Sequence, residues 1–259
     1  MNIFFFFNHY NLNSSLDIFN FPPNNKFCSD NLVDLYPYAF YSDGRNWKHH
    51  KLERIKKNQS LIIKKNDLPK NIYNESVFVS FSLDPDNFEN SLKPINYMNS
   101  APAWRANTKV YNDFTSASYQ GEYPGSLISK NISLVSCSPM IQSNFDTYFY
   151  LVNLTNNPQK INFELTVMDT KFNILGKLNC LTNTINYFKL NDFNYKFTDN
   201  FYVFKSQNYG GIPIYFTKSN DSKKMGIEHT HPPMEYIFLG NRNHFQKIKK
   251  RYWLNENLS

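Results

Sequence analysis

Cysteine is scarce in this 259-residue chain: Cys28, Cys137 and Cys180 stand far apart, and none belongs to a C-x-x-C pair. The odd number and wide spacing exclude a disulfide framework or a structural zinc site as the organising principle. Each is expected to be a small apolar filler. Glycine is also sparse, and 8 Gly with 13 Pro exclude a collagen-like or linker-like chain. The apolar run in MNIFFFFNHY covers five residues with no positive segment ahead of it, too short for a signal peptide or a membrane span, so cytoplasmic residence is expected. GxSxG, GxxxxGK[ST] and GxGxxG are all missing, which removes the nucleophile-elbow, P-loop and dinucleotide-binding signatures. No cofactor is implied.

Aromatic residues are plentiful, with 24 Phe and 18 Tyr, and hydrophobic residues make up 41% of the chain, so a folded interior is expected. The length suits one large core or two small ones, since domains commonly run to ~100–150 residues. Abundant asparagine and lysine read as the codon bias of an AT-rich genome. The net charge of +7 is spread thinly, with two local concentrations in KHHKLERIKK (48–57) and KIKKR (247–251). No helix-turn-helix, RNP-type or zinc-finger pattern accompanies these segments, so they read as solvated edges rather than a nucleic-acid surface. The nucleic-acid alternative would rest on Lys247, Lys249, Lys250 and Arg251 and predicts binding that weakens steeply with salt.

Period-two alternation dominates. In INFELTVMD (161–169), Phe163, Leu165 and Val167 share one face, and Asn162, Glu164 and Thr166 share the other. Similar runs at 3–7, 38–41, 60–64, 77–83, 133–137, 147–154, 184–190, 200–206 and 212–217 are separated by turn segments such as SDGRN, LDPDN and NYGG. Short helices are predicted only at 14–21 and 244–253. Many short strands at such spacing predict an all-β fold of the sandwich or barrel kind.

The halves also resemble one another. Residues 38–83 and 164–206 each run from a strand ending in Asp (Asp43, Asp169) through a hairpin-like excursion to an Asn-Asp-apolar triplet (Asn66-Asp67-Leu68, Asn191-Asp192-Phe193), then into an aromatic strand. The two Asp-to-Asp separations are 24 and 23 residues. Asp suits such corners because its carboxylate accepts hydrogen bonds from backbone N–H groups in the turn. An internal duplication is expected: two tandem β-sandwich domains, Ig-like or jelly-roll-like, at 1–99 and 126–220, a polar-aromatic connector at 100–125, and a tail at 221–259. The second copy, from TYFYLVNLTNNPQKINFELTVMD through LNCLTNTINYFKLNDF to NFYVFKSQNYGGIPIYF, resembles the sensory rhodopsin transducer family of small β-sandwich proteins over about residues 133–217. A degraded echo lies in 1–83. That resemblance implies a partner- or ligand-binding sandwich, able to form oligomers and without catalytic residues.

Two segments attract functional readings. The connector sets Trp104, Arg105, Tyr119, Glu122 and Tyr123 among small polar residues. Flat rings to stack on C–H patches, with a guanidinium and a carboxylate to fix polar groups, suit a sugar-like ligand or a protein partner. Packing of the same rings against the flanking sheets is the plainer alternative. Near the end, EHTHPPMEYIFLG (228–240) places His229 and His231 two apart, with Glu235 following. This resembles the first metal-binding motif of the cupin family and would suit a transition metal and metal-dependent catalysis. Against it, Pro232-Pro233 interrupts strand pairing, and only His244 follows where a second motif is needed. Non-enzymatic ligand or partner binding is therefore the expected function, with cupin-like metal chemistry as the rival.

Overall fold

The structure is a computed structural model, and it describes residues 2–7, 12–20, 34–72, 76–82, 86, 105–120, 122–124, 134–193 and 201–229. Its strands, in chain order, are β1 (Asn2–Phe5), β2 (Asn13–Asn20), β3 (Tyr36–Ser42), β4 (Trp47–Lys51), β5 (Gln59–Lys64), β6 (Phe78–Ser82), β7 (Arg105–Tyr111), β8 (Ser116–Gln120), β9 (Glu122–Pro124), β10 (Leu134–Cys137), β11 (Phe145–Val152), β12 (Asn162–Met168), β13 (Ile174–Leu181), β14 (Ile185–Lys189), β15 (Val203–Ser206), β16 (Ile212–Ser219) and β17 (Met225–His229). The fold is all-β. Among the described residues no helix is long and apolar enough to cross a membrane.

The strands form four small antiparallel sheets. Sheet I has the order β5-β2-β7-β8, sheet II β4-β3-β6-β1-β9, sheet III β14-β11-β16-β17 and sheet IV β13-β12-β15-β10. Sheets I and III share one connectivity. Sheets II and IV share another, apart from the extra edge strand β9.

Alternating side chains decide how the sheets pack. Phe4, Val79 and Phe81 on one face of sheet II meet Leu16, Ile18, Ile63 and Ala106 of sheet I. Phe5, Phe40 and Phe78 on its other face meet Tyr148, Tyr150, Ile214 and Phe216 of sheet III, with Phe7 standing 4.4 Å from Tyr150 between ring centroids. Phe149, Leu151 and Tyr215, on the far face of sheet III, meet Leu165, Val167 and Phe204 of sheet IV; the Phe149 and Phe204 rings stack at 4.3 Å. The four sheets therefore follow one another face to face, in a propeller-like succession. Each fully buried phenylalanine contributes about 1.5–3 kcal/mol relative to exposure.

This corrects the expected pair of separate sandwiches. The central cluster draws on both halves of the chain, because both faces of sheets II and III are apolar and neither can be left to water. The segment expected to connect them is also built in: β7 lies between β2 and β8, with Ala106, Thr108 and Val110 fully buried. Residues 14–20 of the segment read as a helix belong to strand β2, and residue 21 lies outside the described residues. Leu16 and Ile18 enter the core at period two, and pairing on both sides by β5 and β7 satisfies the backbone. The second half also continues past residue 220, because β17 pairs with β16.

The duplicated corners match closely. Asp43 Oδ1 accepts from the backbone N–H of Arg45 at 2.8 Å and Asn46 at 2.7 Å; Asp169 Oδ1 accepts from Lys171 and Asn173, both at 2.8 Å. The Asn-Asp triplets form matching 3-10 turns at Lys65–Asp67 and Leu190–Asp192. In the second, Asn191 bridges β11: its Oδ1 accepts from Thr147 N at 2.7 Å, and its Nδ2 donates to the Phe145 carbonyl at 2.9 Å.

A buried amide network closes the second half. Asn183, in a left-handed conformation with φ 57°, donates through Nδ2 to the carbonyls of Asn157 and Gln159 and accepts from Thr155 N. Asn153 accepts from Asn183 N and donates to the Gly210 carbonyl. Gly211 follows because a Cβ there would collide with the Val152 carbonyl oxygen. Between the halves, Ser76 Oγ accepts from Ile185 N at 2.5 Å, Asn112 Nδ2 donates to the Ser222 carbonyl at 2.9 Å, and Ser42 donates to the Pro158 carbonyl.

Candidate functional site

Sheet IV is the end of the succession, and its outer face forms a cleft of about 650 Å3 rimmed by the chain at 206–209. That volume lies in the usual range of small-molecule sites, ~300–1,000 Å3. Because Phe163, Leu165 and Val167 point inward, Glu164 and Thr166 leave β12 on the open side.

Register then assembles a row that the sequence keeps apart. Thr166 stands opposite Lys205 of β15 on one side and Lys177 of β13 on the other. Directly opposed residues project to the same face, and strands lie ~4.8 Å apart, so a hydroxyl sits between two ammonium-bearing side chains. The lysines differ in their surroundings. Lys177 Nζ is 2.8 Å from Glu164 Oε2, an exposed pair. Lys205 is half-buried, no described carboxylate stands at ion-pair distance from it, and burial pushes its pKa below the ordinary lysine value.

One side of this row is apolar. Met168 and Val203 pack with Val135 and Phe172, and Ile174 lies beside them, 69% exposed. A β-bulge between Val167 and Met168 re-aims the end of β12 into the hairpin that carries Phe172. Phe172 has φ 64°, a left-handed conformation uncommon for a bulky residue and costing on the order of 1–2 kcal/mol. It is held there by the Asp169 corner, where Phe172 N donates to the Asp169 carbonyl at 3.0 Å. The other side is polar: Asn162, Gln207 and Asn208 are exposed, and Tyr209 packs 5.2 Å from Phe163.

The residues singled out from the sequence lie elsewhere. Tyr119 is 8% exposed and belongs to the central core, 6.1 Å from Phe5. A stacking platform needs an open ring face; this ring is spent on the core. Arg105 opens β7 opposite Phe19 in sheet I, whereas Glu122 and Tyr123 lie in β9 opposite Phe4 and Ile3 in sheet II. Their backbones thus divide between two layers. Trp104 lies outside the described residues. Of the metal-ligand trio, His229 ends β17 opposite Ile214, while His231 and Glu235 lie outside the described residues. Among the described residues no three His, Cys, Asp or Glu side chains gather as a metal site. In the basic segment 48–57, Lys48 is 3.4 Å from Asp43 and Arg54 is 3.4 Å from Asp34. Lys247, Lys249, Lys250 and Arg251 lie outside the described residues.

Cys180 is buried and burial pushes its thiol up to about 12; Cys137 is exposed, and partial burial raises its pKa as well. Cys28 lies outside the described residues. In comparisons with known proteins, no family model, no curated protein and no solved structure matches the chain.

Sequence reasoning passed over Thr166, Lys177 and Lys205. One signal was present: Lys205 interrupts an otherwise apolar aromatic run, NFYVFKS. Its pairing with Thr166 depends on register, which no local pattern states.

Proposed function

We propose that the protein is a non-enzymatic binding protein that takes a small, polar, sugar-like ligand in the outer cleft of sheet IV. The observation carrying this reading is the row Lys205–Thr166–Lys177 lying between an apolar ridge and an amide-bearing rim. A saccharide offers hydroxyl groups to donors and acceptors and a flat C–H face to apolar side chains, and this cleft presents partners for both. Phe172 adds weight, since backbone strain gathers where a side chain must be presented in one direction. The reading also suits the resemblance to the sensory rhodopsin transducer family, whose implied role is binding. Descent of the two halves from one sandwich unit belongs to the same proposal, supported by their shared strand order and paired Asp corners.

A saccharide array carrying neutral and acidic oligomers, followed by titration calorimetry, tests it. Binding should weaken by about tenfold or more in Thr166→Val and Asn208→Ala, the loss typical of one or two hydrogen bonds. Binding that is unchanged in both variants would place the ligand elsewhere and end this reading.

A further inference from the structure

We propose that the ligand of this cleft is an acidic saccharide whose carboxylate sits between Lys205 and Thr166; the inference rests on the binding reading above. The cleft is lined by two cations and one anion, Lys177, Lys205 and Glu164. Glu164 is matched to Lys177 at 2.8 Å, which leaves the positive charge of Lys205 uncompensated. A lysine that is partly buried without a counter-ion loses some of its hydration, a loss that an arriving anion would offset. Lys205 lies on an inner strand of the sheet, between β10 and β12, so its stem is fixed by pairing on both sides.

The geometry suits a carboxylate. Thr166 is the cross-strand neighbour of Lys205 on the same face and has no described hydrogen-bond partner, so its hydroxyl can donate to one carboxylate oxygen while the ammonium donates to the other. An arriving anion would reverse the effect of burial on Lys205 by favouring its charged form. A saccharide fits better than an acidic peptide. An extended peptide binds by adding to a sheet edge, whereas this cleft lies on the face of the sheet. Asn162 and Asn208 carry amides that both donate and accept, as ring hydroxyls do. Met168, Phe172 and Ile174 supply the apolar ridge against which a pyranose C–H face can lie.

The test uses trisaccharides ending in galacturonate, glucuronate or N-acetylneuraminate, each beside its neutral methyl ester, titrated against the full chain at low salt. At least one acid should bind about 10- to 100-fold more tightly than its ester, the difference typical of a hydrogen bond to a charged group. That preference should vanish in Lys205→Met and Lys205→Gln and return in large part in Lys205→Arg, with urea midpoints and far-UV circular dichroism showing that each variant is folded. Equal binding of acid and ester, with both weakened by Asn208→Ala, overturns the acidic ligand and leaves the cleft reading standing. Acid preference that survives in the folded Lys205→Gln variant overturns the assignment of the anchor. Failure of every acid, ester and neutral oligomer to bind overturns both.

Discussion

Sheets I and III have the same strand order and opposite outer faces. Both pair their central strands in one register, anchored by Lys64 and Lys189, which end β5 and β14 just before the two 3-10 turns. Lys64 faces Ser15, and Lys189 faces Tyr148. From there Ser15 corresponds to Tyr148, Asp17 to Tyr150, Asn107 to Ile214 and Lys109 to Phe216. Sheet I carries the polar member each time: Asp17, Asn107 and Lys109 are partly exposed there, and the buried Ser15 donates its hydroxyl to Asp17. Sheet III carries the apolar member because sheet II covers it. Sheets II and IV repeat the contrast, with Phe5, Phe40 and Phe78 on the covered face of one and Thr166 and Lys205 on the open face of the other. Connectivity is thus set by turns and inward faces, while the outward face takes its chemistry from whatever lies beyond it.

The most severe way to break this comparison is to give sheet III the residue that sheet I has. Tyr150→Asp places an unpaired carboxylate in the central core and should cost about 3–5 kcal/mol or abolish folding. The reverse change, Asp17→Tyr, should cost under about 1 kcal/mol, losing mainly the Ser15 hydrogen bond. Urea unfolding measures both, and a tolerated Tyr150→Asp would mean that sheet II does not cover sheet III. Next in size is Gly211→Ala, which forces β11 and the start of β16 apart; about 1–3 kcal/mol of destabilisation is expected by the same measurement.

A smaller effect sharpens the likeness of the corners. The backbone N–H of Asn46, then that of Arg45, holds the Asp43 carboxyl below its ordinary pKa; the side-chain amide of Asn173 does so for Asp169, with the backbone N–H groups of Asn173 and Lys171. A lowered carboxyl pKa stabilises the fold above the ordinary value and ceases to do so as pH falls through the folded value. The urea midpoint should therefore drop on acidification below pH ~4, and Asp43→Asn and Asp169→Asn should each flatten that drop to a similar degree. A much larger effect at one corner would separate what the fold pairs. The smallest change is expected from Lys205→Met, which removes a partly desolvated ammonium from an open face. Its unfolding free energy should stay within about 0.5 kcal/mol of the parent chain, whereas its effect on binding should be large.

Much of this architecture was legible beforehand. Ten strands could be read from alternation, and Asp43 and Asp169 marked equivalent turns because the Asp side chain caps a hairpin through local N–H groups. What was not legible depended on partners distant in the chain. Residues 14–21 look like a short helix until β5 and β7 flank β2. The segment around Arg105 and Tyr119 looks like a polar connector because β7 and β8 alternate with small polar residues on the open face of sheet I. Tyr119 could not be told from an exposed ring, since its burial depends on Phe5, more than a hundred residues away. The cleft was hidden for a related reason: Glu164 and Thr166 were assigned to the correct outward face, but Lys205 joins them only through the pairing of β12 with β15.

The asymmetric seam between sheets II and III bears on how the chain must be made. Strands of the first half are complete at Pro124, but the sheet that covers Phe5, Phe40 and Phe78 is not finished until His229 has been added. At ~5–20 residues per second, translation leaves that aromatic wall naked for roughly 5–20 s. During that interval the emerging half-molecule presents an uncovered apolar face, the kind of surface through which incomplete chains associate.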